Sequence, residues 1–210
     1  TPLYSSAASD VYKRQLEGFG VVLRLDPSFP NARRRLAAVL LSRGRGDDAS
    51  AARQLLTEEV GILRDWLADG PPASRGPHPF SDDDLDELGQ TLLDAQMPGE
   101  AREVLTVLVE HEPREVDSLH ALSVALFQLG ERELGRVWAE KALAENPKFV
   151  PAMHNLAVSA MRTGDWSGAN GWVRSALALE PDDSSLRRLR AKIVVCRAWN
   201  SLARLGPRRR

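Results

Sequence analysis

His120 and His154 stand 34 residues apart in a chain of 210. Two imidazoles at a repeat spacing can share a carboxylate offered by a bound partner, supply half of a metal site, or simply stand in water. Little else in the sequence is chemically equipped. His78 and His111 complete the histidines, and Cys196 is the single cysteine. One thiol builds neither a disulfide framework nor a thiolate zinc site. No Gly-rich phosphate loop follows a strand pattern, no nucleophile elbow is present, and no His-Glu-x-x-His occurs. The sequence therefore predicts no catalysis, no cofactor and no metal site.

The acidic run Ser81-Asp82-Asp83-Asp84 has a plainer reading than metal binding. Serine caps a helix start, and carboxylates in the first turn complement the positive end of the helix dipole. Arg208, Arg209 and Arg210 are three charges on a terminal tail, too few to signal nucleic acid.

A repeating period supplies the elements that must hold these residues. Leu85, Leu88, Gly89 and Leu92 recur 34 residues on as Leu119, Leu122, Ser123 and Leu126, and again as Met153, Leu156, Ala157 and Ala160. Each set is spaced i, i+3, i+4, i+7, one face of a helix. Gln96, Gly130 and Gly164 follow, where a left-handed cap ends that helix. Ala101, Gly135 and Ala169 are the small residues that let a second helix come close. Pro113, Pro147 and Pro181 stop it. A weaker unit from Pro30 offers Arg33, Leu36, Ala37, Leu40, Gly44, Ala49, Arg53 and Leu56, with Gly61 in the proline slot. A fixed period of this size signals stacked helical hairpins. With 43% hydrophobic residues the chain can bury a core, and a net charge of −1 gives no field to gather nucleic acid or lipid. No apolar run approaches the roughly 20 residues a membrane span needs.

The pattern resembles the tetratricopeptide repeat family across most of 16–205. The resemblance implies an all-α fold, a right-handed superhelical solenoid of helical hairpins. It divides the chain into partial, divergent hairpins at 16–68, a Pro/Gly-rich linker at 69–81, and three repeats at 82–115, 116–149 and 150–183. A capping helix at 184–205 and a basic tail at 206–210 complete it. The linker reads as an insertion loop or a hinge. In the capping helix Leu186, Leu189 and Ile193 continue the ladder with the register slipped by one. The family's usual aromatics are mostly replaced by Leu, Met, Ala and Val, which implies a slimmer core.

The resemblance also implies a concave groove lined by the first helix of each hairpin. Its residues here are Asp83, Asp86, Gln90 and Asp94, then Asp117, His120, Phe127 and Gln128, then His154, Asn155, Met161 and Arg162. Asn31, Arg34 and Arg35 hold such places in the weaker unit. The implied partner is a protein or peptide, with no nucleic acid and no membrane span, bound by a scaffold that is not an enzyme. Some family members clamp a terminal carboxylate with Lys and Asn. Only Asn155 and Arg162 partly fit that, so the charges suit a ligand with a basic part near Asp83–Asp94 and apolar contacts near Phe127 and Met161. Trp138 and Trp172 fall on second helices, as packing residues or as a convex binding surface.

Residues Ser5 to Gln15 match, codon by codon, the translation of a transposase adapter used in sequencing libraries. Residues 1–15 are read as non-native and left out of the fold. Leu16 to Pro27 then reads as the second half of an earlier hairpin, so the expectation is a fragment of a longer chain. Its missing part is expected to hold more repeats, the catalytic domain of an enzyme such as a glycosyltransferase or kinase, or the signal of an envelope or secretion assembly factor. Localisation is not legible from the sequence; the single cysteine fits a reducing or indifferent compartment, which leans toward the cytoplasm.

Overall fold

The computed structural model describes residues 3–27, 29, 31–69 and 78–204, with side chains described from 13 to 200 among these. Residues 70–77 of the Pro/Gly-rich stretch, Pro30 and the basic tail 206–210 lie outside the described residues. Ten α-helices and no strand are present among the described residues. They form two compact units, divided after Pro113.

The first unit holds α1 (Leu3–Leu25), α2 (Ala32–Arg43), α3 (Asp48–Ala68), α4 (Asp82–Asp94) and α5 (Pro98–His111). α2 pairs with α3 and α4 with α5, while α1 packs on α2. The helices flanking residues 69–81 pack on each other within this unit, α2 on α4 and α3 on α5. Arg64 reinforces that contact through two hydrogen bonds to Glu103, at 2.8 and 3.0 Å. The start of α4 is a capping box: Ser81 Oγ accepts from Asp84 N, and Asp84 Oδ2 accepts from Ser81 N. The acidic run is therefore a helix start, as its residue types imply.

The ladder Leu85, Leu88 and Leu92 is fully buried, and so are Ala101 and Leu105 opposite it. Each such leucine contributes about 1.5–3 kcal/mol by leaving water. Gly89 lets the pair close: a Cβ there would lie 2.5 Å from Leu105 Cδ2.

The weaker unit departs from its expected register. Ala49 is exposed and Ala52 is fully buried instead, followed by buried Leu56, Val60 and Leu63. Four residues, Gly44 to Asp47, separate α2 from α3, against two between α6 and α7 in the second unit. The longer turn delays the buried stripe by almost one helical turn. Gly61 does not act in place of a proline, because α3 runs straight through it to Ala68.

The second unit holds α6 (Val116–Leu129), α7 (Arg132–Glu145), α8 (Val150–Thr163), α9 (Trp166–Leu179) and α10 (Ser184–Arg204). α6 pairs with α7, α8 with α9, and α10 closes onto α9 and α8. Gly130 and Gly164 cap α6 and α8 at φ 83° and 81°. Leu119, Leu122, Met153 and Leu156 are buried as the ladder requires. Ala157, Ala169, Val173, Leu189 and Ile193 form one cluster that joins α8, α9 and α10. The described helix α10 thus covers the α8–α9 hairpin with Leu186, Leu189 and Ile193, but the outward face is not purely polar as the sequence implies, since Val194, Val195 and Trp199 are exposed beside its arginines.

Candidate functional site

Side chains four apart on a helix stack along one stripe. On α6 one such stripe is His120, Val124 and Gln128, and on α8, one period later, it is His154, Val158 and Arg162. The two helices pack side by side, so the stripes run together with one hollow between them and a second where α8 meets the start of α10. A cavity of about 210 Å³ is lined by Val124, Phe127, Gln128, Asn155, Val158 and Arg162, with Arg132 and Ser159 at its edge. The neighbouring hollow is lined by His120, His154 and Asn155 together with Glu180 and Asp183. Asn155 lines both hollows.

The first hollow combines apolar walls with excess positive charge. Phe127, Val124 and Val158 offer about one side chain's worth of greasy surface. Arg132 and Arg162 are its only charged residues, and neither has an ion-pair partner among the described residues. The Phe127 ring is held by Gly135 of α7, whose bare Cα sits against it. Such a pocket suits an apolar side chain with a carboxylate close by.

The second hollow is differently charged. Burial pushes the His120 pKa below the ordinary histidine value, with His154 adding to the depression and Asp117 opposing it. The His120 ring stands edge-on to Phe149, centroids 5.2 Å apart. Its Nδ1 is buried without a hydrogen-bond partner. His154 Nδ1 lies 3.4 Å from Asn155 Oδ1. Asp183 is already engaged in capping α10, accepting from the Ser185 and Leu186 amides. Among the described residues no group of three or more His, Cys, Asp or Glu side chains is arranged to hold a metal ion.

Of the groove residues named from the sequence, the structure brings together His120, Phe127, Gln128, His154, Asn155 and Arg162. Asp117 is exposed at the start of α6, one turn before His120. Met161 faces the other way and packs on the α8–α9–α10 cluster. Asp83, Gln90 and Asp94 are exposed on α4 of the first unit, and Asp86 is half-buried there. Arg34 is not a groove residue: it is buried, donating to the Asp84 carbonyl at 2.7 Å and to Glu87 Oε2 at 2.6 Å. Asn31 likewise bonds Asp84 Oδ1 at 2.6 Å. Burial opposes the charge on Asp84, but hydrogen bonds from Ser81 and Arg34 outweigh it and hold the carboxyl below its usual range.

Sequence reasoning missed Val124, Val158, Ser159 and Arg132. The two valines were findable, since they stand midway along the stripes begun by His120 and His154. Arg132 comes from the second helix of its hairpin, outside the repeat positions that were read. Trp172 packs half-buried against the core clusters, and Trp138 lies under the Lys141 ammonium, 3.7 Å from its ring centroid. Trp166 is half-buried in the same cluster as Met161.

Residues 139–193 match the family model for the tetratricopeptide repeat. A tetratricopeptide repeat protein from Parabacteroides merdae superposes with a TM-score of 0.68 at 16% identity, over 96% of this chain and 73% of that one. YrrB, described as a tetratricopeptide protein with an unusual peptide-binding site, gives 0.62 at 19%, over 89% and 86%. The first such domain of Spaghetti (RPAP3), solved with an HSP90 peptide, gives 0.53 at 19%, over 56% and 93%. At these identities the likeness is one of fold. A search of curated proteins finds no match.

Proposed function

We propose that this chain of tetratricopeptide-type hairpins is a protein-interaction scaffold, whose second unit binds an extended segment of a partner without chemical change. One observation carries the reading: Arg132 and Arg162 flank an apolar hollow with no carboxylate of their own to neutralise them. Two guanidiniums and Asn155 around Phe127, Val124 and Val158 favour a segment that presents an apolar side chain beside an acidic group. The peptide bound by the RPAP3 domain and the peptide site of YrrB support a groove of this kind as a binding surface. In the first unit the exposed Asp83 and Asp94 of α4 suit basic residues instead.

Panning a random peptide display library against the full chain tests this. The expected result is enrichment of peptides with one large apolar residue next to Asp, Glu or a free carboxylate. Arg162→Ala should weaken the selected peptides about tenfold, and their affinity should fall with added salt. Enrichment of basic peptides that ignore Arg132→Ala and Arg162→Ala would overturn the reading.

A further inference from the structure

A shallow hollow opens between α9 and α10, beside the core contacts that Leu186, Leu189 and Ile193 make. Its floor is Leu177, Pro181, Ala191 and Val194, and its only charged residues are Arg187 and Arg190, around a volume of about 590 Å³. Val194 and Val195 are 56% and 66% exposed, a large apolar cost for a surface helix. Between Ser184 and Asn200 the helix carries Arg187, Arg188, Arg190, Lys192 and Arg197 and no carboxylate. Arg190 has no partner among the described residues, and Arg187 is paired with the highly exposed Asp182.

The repeat explains what this hollow is. In α8, Ala157 and Met161 turn toward α9, and Ala169 and Val173 cover them. Allowing for the one-residue slip, Arg190 and Val194 lie 33 residues after Ala157 and Met161. They occupy the face that a following helix covers in the preceding hairpin. The slot held by Gly89, Ser123 and Ala157, where two helices touch, is filled here by an arginine. A helix can still lie in the hollow, but it must stand further off and bring negative charge to Arg190 and Arg187.

We propose that the α9–α10 hollow docks an acidic amphipathic helix of a partner protein, with leucine-like side chains on Val194 and Ala191 and carboxylates on Arg187 and Arg190. Charge complementarity favours this occupant. The apolar strip is narrow, with Val194, Val195 and Ala191 beside Arg187 and Arg190, which matches the one-stripe apolar face of an amphipathic helix flanked by carboxylates. This surface is separate from the α6–α8 groove and stands independently of the reading given for it.

The test uses the full chain and two fluorescein-labelled probes of about 16 residues, one Leu/Glu and one Leu/Lys, with leucines at i, i+3, i+4, i+7 spacing. The Leu/Glu probe is expected to bind, more weakly as salt rises, and the Leu/Lys probe is not. Arg190→Glu and Val194→Asp should each weaken binding about tenfold while circular dichroism stays unchanged. Arg162→Ala, in the other groove, should leave it intact. Equal binding of both probes, or loss of binding with Arg162→Ala alone, would overturn the proposal. So would binding to phosphatidylserine vesicles with no binding of the Leu/Glu probe, or a dimer broken by Val194→Asp in the absence of any probe.

Discussion

The Phe127 ring rests on the bare Cα of Gly135: a Cβ added there would come within 2.7 Å of ring Cδ1 and 2.9 Å of Cε1. Gly89 meets Leu105 in the same manner, at 2.5 Å from Cδ2. The two contacts predict different outcomes. Leu105 is fully buried and has nowhere to go, so Gly89→Ala should destabilise by about 1–3 kcal/mol through overpacking, against about 0.5–1 kcal/mol gained in helix propensity. Phe127 borders an open hollow, so in Gly135→Ala the ring can swing into it. Stability should change little while groove binding falls. Chemical unfolding and peptide titration of both variants separate the two.

Gln96 takes the left-handed conformation, φ 58°, in the slot where Gly44, Gly130 and Gly164 sit at φ 59°, 83° and 81°. A side chain is strained there. Gln96→Gly should stabilise the chain by about 0.5–1 kcal/mol, and Gly130→Ala should destabilise it by about as much. Thermal melts under one condition check both signs.

Asp48 and Glu59 should respond to pH in opposite directions. The Asp48 carboxylate accepts hydrogen bonds from Arg43, at 2.7 Å from Nε and also from Nη2, and its pKa is lowered to about 2. Its contribution is complete above the unfolded value and is lost as pH falls from about 4 toward 2. Glu59 is buried on α3, and desolvation raises its pKa despite the nearby Arg33 and Arg34 charges. Its contribution is greatest below the unfolded value and declines as pH rises through the raised one. Glu59→Gln should therefore stabilise at neutral pH with no gain in acid, and Asp48→Asn should flatten the acid limb. Urea unfolding across pH 2–8 reads both.

His120 should titrate below an ordinary histidine, because burial disfavours its cation. As pH falls past the usual histidine range the unfolded chain takes up this proton first, so stability declines. Side-chain NMR should show the His120 ring still neutral below the ordinary histidine range. His120→Gln should remove the corresponding part of the acid loss.

Much of this architecture was legible because a repeat states its pattern several times. Leu88, Leu122 and Leu156 have the same spacing and are all buried. The proline stops at 113, 147 and 181 fall just after α5, α7 and α9, as backbone chemistry requires. Where the pattern was stated only once it misled: Ala49 and Gly61 matched the register on paper, but a four-residue turn moved the buried stripe to Ala52.

From α4 to α9 the sequence alone indicated the helices, their caps and stops and the leucine face they bury, since those depend on local periodicity, whereas the buried face of α3 was not legible. Whether a polar residue stays in a groove or joins the interior was decided by the tertiary structure. Arg34 and Arg162 look alike in the sequence, yet Arg34 is buried against Asp84 and Glu87 while Arg162 borders an open hollow without a partner. Met161 and Phe127 were paired in the reading and separated by the packing. The physical reason is that a side chain's surroundings are set by the neighbouring helix that covers it, and the identity of that neighbour is not written within any single repeat.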